Sequence, residues 1–275
     1  MADSMNADAP SSPPKGIRDS IAVASGKGGV GKSTMAVNLS VALAKMGHSV
    51  GLLDADVYGP NVPIMLGAKG DLVTVDGSIT PLEAYGIKVM SLGFMLEEGT
   101  PVIWRGPMIA GALKQLLNDV EWGELDYMVL DLPPGTGDAS LTLAQMIPLS
   151  GALIVSTPQE VALQDVKRSI AMFERLSVPV LGLVENMSYY IHEPTGDRVE
   201  IFGHGGARKA AEDLELEFLG EVPLDPAIRE GGDSGRPVSA EADSSLGVAF
   251  ADIARKLVEA VGADRKEPAD DLPML

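Results

Sequence analysis

Short apolar runs recur along the chain, and most of them close on a polar residue: Ile21–Ser25, Val50–Asp54, Ile87–Ser91, Tyr127–Asp131, Ala152–Ser156, Val180–Asn186 and Glu217–Gly220. Runs of this kind read as strands buried on both faces, and the segments of helical period between them give the pattern of a parallel sheet with crossover helices. The expected fold is therefore α/β, a doubly wound and mostly parallel sheet flanked by helices. Ser25, Asp54, Asp131, Ser156 and Asn186 end their runs, which places them on the rim where open parallel sheets bind ligands. The alternation continues from about Arg18 to Val261 without repeat or linker, so residues 17–262 are expected to form one domain between tails at 1–16 and 263–275. Both tails are rich in proline and polar residues and are expected to be mobile.

Two helices carry local signals. Met35, Leu39, Leu43 and Met46 recur at helical spacing, which predicts a buried stripe that Gly47 ends. The sequence Thr157-Pro158-Gln159-Glu160 reads as a capping box opening a helix that runs to about Leu176.

Composition removes several function classes. The 39 acidic residues outnumber 21 basic ones, for a formal charge of −18. With no basic cluster, that balance opposes docking on nucleic acid or anionic lipid. No apolar run approaches the roughly 18 residues that cross a bilayer, and the N-terminus lacks a secretory pattern, so the expected location is cytoplasmic. The chain has no cysteine, which excludes disulfides, thiolate metal sites and a cysteine nucleophile.

Ser25-Gly26-Lys27-Gly28-Gly29-Val30-Gly31-Lys32-Ser33-Thr34 satisfies G-x-x-x-x-G-K-[ST] after a strand and before a helix. Glycines let backbone N–H groups close around phosphate, Lys32 would reach the β- and γ-phosphates, Ser33 would ligate Mg²⁺, and Thr34 would touch the α-phosphate. Asp54 and Asp56 lie two apart on an extended chain and share a face, as rim carboxylates near a magnesium ion or as helix or turn caps. Tyr127–Asp131 runs into Leu132-Pro133-Pro134-Gly135 with the look of a Walker B strand and switch II, Asp131 holding Mg²⁺ through water and the Gly135 N–H sensing the γ-phosphate. No N-K-x-D guanine signature occurs, so ATP is expected rather than GTP.

Lys27 is one lysine more than an ordinary phosphate loop needs, and it serves either its own phosphates or a second subunit. Residues 26–34 resemble the deviant Walker A motif, G-K-G-G-x-G-K-[ST], of the MinD/ParA/nitrogenase-iron-protein superfamily. That resemblance implies two subunits meeting across two ATPs, with Lys27 reaching the partner's phosphates as an arginine finger would. It also implies that Asp56 acts on the attacking water, that Asp54 supports the magnesium shell, and that Asn186, Pro223 and Asp225 enclose the adenine. Asp225 reads equally well as the helix N-cap before Pro226.

The segments "DADVYGPN", "WRGPM", "WGELDYMVLDLPPGTGDASLTLAQ", "ENMSYY", "IFGHGGARKAAE" and "FLGEVPLDPAIREGGDSGRP" together resemble the Mrp/ApbC family of iron–sulfur cluster carrier ATPases. The resemblance implies a homodimer that hydrolyses ATP and passes a [4Fe–4S] cluster to apoproteins. Cluster-bridging relatives carry a C-x-x-C pair between the "ENMS" and "IFG" segments, and this chain has Tyr189–Glu200 there without a cysteine. His192 and His204 are poor cluster ligands and are expected to be a solvated loop residue and a glycine-turn residue. Thiolates would then come from a scaffold or client protein. The competing reading is a ParA/MinD-like spatial-positioning ATPase. Trp104 is expected to pack, and Arg105 to serve an interface or a phosphate.

Overall fold

The computed structural model describes residues 16–57, 59–95, 106–192 and 194–264. Tyr58, Trp104, Arg105, residues 1–15 and residues 265–275 lie outside the described residues.

The strands in chain order are β1 (Ile17–Ala24), β2 (Val50–Asp54), β3 (Val73–Val75), β4 (Ser78–Thr80), β5 (Leu82–Ala84), β6 (Ile87–Ser91), β7 (Leu125–Asp131), β8 (Gly151–Ser156), β9 (Val180–Glu185), β10 (Tyr190–His192), β11 (Asp197–Val199) and β12 (Phe218–Glu221). The helices are α1 (Lys32–Lys45), α2 (Val62–Met65), α3 (Gly106–Asn118), α4 (Asp138–Met146), α5 (Glu160–Arg175), α6 (Gly206–Asp213), α7 (Pro226–Ser234) and α8 (Ser245–Asp264). Eight strands form one sheet in the order β12-β9-β8-β1-β7-β2-β6-β5. All neighbours are parallel except β5, which pairs antiparallel with β6. The doubly wound, mostly parallel sheet expected from the sequence is the observed one.

Strand residues alternate between two cores. Ala22, Met128, Leu130 and Ile154 pack under α3, α4, α5 and α6, while Ile21, Val23, Val129 and Leu153 pack under α1 and α8. Both faces are therefore dry, and the central strands read as unbroken apolar runs because no face is left for water. Register carries the polar ends to one edge: Asp54 is the partner of both Asp131 and Ser91 across the ladder.

Two local expectations change. Met46 is 42% exposed and caps α1 instead of extending its stripe, because the helix already turns at Gly47, whose φ is 92°. Residues Met35–Leu43 are instead buried on every side, since α8 covers what would otherwise be an outer face. The capping box does not form: Gln159 is the N-cap of α5, and the Thr157 hydroxyl bonds the Gln159 side chain. The residue before a proline favours extended backbone, which carries the chain past Thr157 before the helix can begin. Helix α8 runs to Asp264, two residues into the expected tail. Among the described residues no helix is long and apolar enough to cross a membrane.

Leu130 lies in a central strand and is fully buried. Leu130→Ala is expected to lower the unfolding free energy by about 2–5 kcal/mol, through lost apolar burial and the cavity left behind, measured by urea unfolding.

Candidate nucleotide site

Between β1 and α1 the chain makes a loop that only glycine can follow at its two closest approaches. A Cβ on Gly26 would meet the backbone of Asp165 in α5, and one on Gly31, at φ 86°, would meet the Asn186 amide. Gly31 is the N-cap of α1, with no side chain bonding the helix N-terminus. The first N–H groups of α1 thus keep the positive end of the helix free for an anion. Gly28 and Gly29 are exposed and Val30 is buried, so the loop is anchored at its end and open at its crest. Ser33 and Thr34 follow in the first turn, partly exposed.

Lys32 enters the helix 6% exposed and turns its ammonium to the rim carboxylates, 2.6 Å from Asp131 Oδ1 and 3.5 Å from Asp56 Oδ2. Its Nζ also lies 3.4 Å from Ser33 Oγ. A buried ammonium needs such partners, since an unpaired charge away from water costs several kcal/mol, of the order of 3–5. Burial pushes the Asp131 carboxyl above its usual range, and the Lys32 charge pulls it back. Asp131 Oδ2 is buried without a hydrogen-bond partner among the described residues.

Asp54 has a different setting. Its Oδ1 accepts the Asp56 N–H at 3.1 Å, and its Oδ2 accepts the Val62 N–H at 3.3 Å and the Ser91 hydroxyl at 3.1 Å. These three hydrogen bonds tie the carboxyl to the N–H groups of Asp56 and Val62 and to the neighbouring strand, and thereby place Asp56. Burial, then the charge of Asp131, raises the Asp54 carboxyl from 3.8 to about 7. Gly135, at φ 85°, donates its N–H to the Ser25 carbonyl at 2.8 Å, which seats switch II against the start of the phosphate loop. Lys27 is half-buried, and among the described residues its ammonium makes no hydrogen bond or ion pair.

Beside the loop opens a cavity of about 460 Å³, lined by Gly31, Thr34, Asn186, Pro223 and Asp225. Asn186 donates to the Val30 carbonyl at 2.8 Å, tying the end of β9 to the loop. Asp225 is also the N-cap of α7, accepting the Ala227 N–H at 2.8 Å, so its capping reading holds, and the same residue stands in the cavity wall. Sequence reasoning missed Ile64, Met65, Met187, Ile228 and Arg229 in the same walls. Met187 carries φ 54°, unusual for a residue with a side chain. Met187, Ile228 and Arg229, like Asn61, stood inside quoted segments without being assigned.

The loop offers N–H groups to an anion, Lys32 and the carboxylates lie at its end, and a cavity opens beside it. That combination defines a P-loop nucleotide-binding protein. Over residues 16–258 the chain matches the ParA family, described as NUBPL iron-transfer P-loop NTPase, and it belongs to that family. It is 52% identical over 250 residues to the iron–sulfur cluster carrier protein of Aquifex aeolicus, covering 90% of this chain and 69% of that one. A nucleotide-binding protein from Archaeoglobus fulgidus, solved in complex with ADP, superposes with a TM-score of 0.75 at 43% identity, over 85% of this chain and 92% of the other. The cell-division ATPase MinD of Pyrococcus furiosus shares the fold, with a TM-score of 0.65 at 24% identity over 88% of this chain and 98% of its own. The resemblance to iron–sulfur carrier ATPases of the MinD-like superfamily is borne out.

Because the folded value of Asp54 lies above the unfolded one, the folded state holds the extra proton between the two. Stability that Asp54 contributes is present below about pH 4 and lost as pH rises through about 7. In nucleotide-free protein, Asp54→Asn is expected to flatten the fall in urea stability between about pH 4 and 7, by about 1–4 kcal/mol, relative to wild type.

Proposed function

We propose that this chain is a Mg²⁺-dependent ATPase that works as a homodimer in moving iron–sulfur clusters to apoproteins. The observation that carries the nucleotide part is the free N-terminus of α1 with Lys32 bridging to Asp131 at 2.6 Å, directly beside a base-sized cavity. The cargo is supported by membership of the iron-transfer family and by the carrier relative at 52% identity.

The loop N–H groups of Gly28–Ser33 would hold the β- and γ-phosphates, with Thr34 at the α-phosphate. Asn186, Pro223 and Asp225 would bound the adenine. Lys32 would exchange its carboxylate partners for phosphate oxygen. The donor set fits Mg²⁺: Asp131 Oδ2 is a buried oxygen with no partner among the described residues, and the Ser33 hydroxyl is adjacent. Ser33 and Asp131, with Asp54 in support, would hold the ion, which would supply charge neutralisation at the phosphates. Asp56, held by its own N–H to Asp54, orients the attacking water. Lys27 crosses to the phosphates of a second copy, which its lack of a partner within the described chain favours.

The [4Fe–4S] cluster is cargo, and this chain does not fit it alone. Clusters are held chiefly by thiolates, and the sequence has none to offer. In this reading the thiolates belong to a scaffold or client protein. Anaerobic reconstitution with iron and sulfide is expected to leave no stable four-iron cluster on the purified chain; a stoichiometric one would remove the need for a thiolate donor.

Lys32→Ala is expected to lose ATP affinity in a filter-binding or calorimetric titration. Lys27→Ala and Asp56→Ala are expected to keep it while turnover falls by about 10³-fold or more, the scale of losing a charge-stabilising finger. Wild-type specific activity should also fall on dilution below the dimer dissociation constant. Full activity from Lys27→Ala, or from a species that sediments as a monomer with saturating ATP, would exclude the cross-subunit role.

A further inference from the structure

The hairpin β10–β11 occupies the stretch between "ENMS" and "IFG", where cluster-bridging relatives carry cysteines, and its root holds a different kind of donor set. Glu185 ends β9 and Glu221 ends β12, while His204 stands in the turn before α6. One ligand atom from each of Glu185, His204 and Glu221 lies within 4.8 Å of the others. His204 Nδ1 is 3.6 Å from Glu185 Oε1 and 3.7 Å from Glu221 Oε2. At their centre sits the buried Ser188 hydroxyl, 2.6 Å from Glu185, 3.1 Å from His204 Nδ1 and 3.4 Å from Glu221.

These separations have a chemical meaning. Nitrogen and oxygen ligands bound tetrahedrally at zinc distances lie about 3.4 Å from one another, so both histidine–carboxylate edges are within a few tenths of an ångström of that spacing. A single hydroxyl proton cannot serve three acceptors, and the group gathers two carboxylates around one imidazole. Hydrogen bonds already fix Glu185: its two oxygens accept the Gly205 and Ala207 N–H groups at 2.9 and 2.7 Å. Such outer contacts are what orient a carboxylate ligand.

The cation that now meets this group is Arg198 of β11. Its Nη1 lies 3.2 Å from Glu221 and its Nη2 2.7 Å from His204 Nδ1, while the guanidinium stacks 3.8 Å above the Tyr189 ring. Arg198 is 36% exposed and comes from a two-stranded hairpin outside the main sheet, so it can leave without disturbing the core.

We propose that Glu185, His204 and Glu221, with the Ser188 hydroxyl, form a site for one divalent transition-metal ion of the zinc type, for which the Arg198 guanidinium is the competing cation. The site is separate from the nucleotide magnesium and needs no thiolate. His204 remains unsuited to a cluster; it is assigned here to a single ion with nitrogen and oxygen ligands. The site lies back to back with the nucleotide cavity: Glu185 and Ser188 flank Asn186 and Met187, which face that cavity. Metal occupancy would release Arg198 and with it the hairpin.

The test is equilibrium dialysis of chelator-stripped, nucleotide-free protein against Zn²⁺, paired with the visible spectrum of the Co²⁺ form. The Asp131→Asn background removes the magnesium carboxylate, and circular dichroism checks that each variant is folded. One equivalent per chain is expected in both wild type and Asp131→Asn, with cobalt bands of a four-coordinate site. His204→Ala and Glu221→Gln should each weaken binding by about tenfold or more. Arg198→Ala, which deletes the competitor and leaves every ligand, should tighten it. The proposal is overturned by absent zinc uptake, by uptake that Asp131→Asn abolishes, by uptake indifferent to His204→Ala in a folded variant, or by Arg198→Ala failing to strengthen it.

Discussion

A lysine ammonium sunk to 6% exposure at the rim of a parallel sheet is the constraint on which the rest of this structure turns. It is tolerable only because Asp131 and Asp56 stand at 2.6 and 3.5 Å, and they stand there only because register places β7 between β1 and β2. Low local dielectric makes such a pair strong when complete and costly when broken. In the proposed function a polyanion at the free N-terminus of α1 would offer Lys32 a replacement partner and leave Asp131 for a cation. The same buried charges would then be handed over, which would make nucleotide binding and rearrangement of the rim one event.

Much of this was legible from residue order. The β2 and β6 runs match their strands, and β1, β7, β8, β9 and β12 differ at their ends by up to four residues, because central strands buried on both faces leave an uninterrupted apolar signature. Polar closing residues identified the rim, and the loop motif singled out the part of it where the first N–H groups of α1 stand free. Three short features escaped. The hairpin β3–β4 has exposed Val73 and Val75 and so no burial pattern, although Asp76-Gly77, both at positive φ, is a favoured two-residue turn. The edge strand β5 is three residues long and antiparallel. The hairpin β10–β11 is exposed along most of its length, and Arg198 meets Tyr189, His204 and Glu221 in a pattern that no helical or strand period marks.

Side-chain roles were less legible than positions. Asp54 and Asp56 look alike in sequence, yet one is bound by two backbone N–H groups and a serine while the other faces the lysine. The difference depends on Ser91, which reaches Asp54 from a strand 37 residues away. His204 likewise precedes a left-handed glycine turn, as expected, and the acidic surroundings that give it another possible use come from β9 and β12. Local patterns report what an element is; which donors surround a group is a property of the assembled sheet.

The left-handed backbone at Met187 divides what lies on either side of it. Because one residue there adopts φ 54°, the chain leaving β9 reverses its facing within a single step, with Asn186 aimed at the loop and Ser188 at the far carboxylates. Two chemically unlike compartments are therefore separated by a single backbone residue, and the facing of each depends on the same pair of dihedral angles.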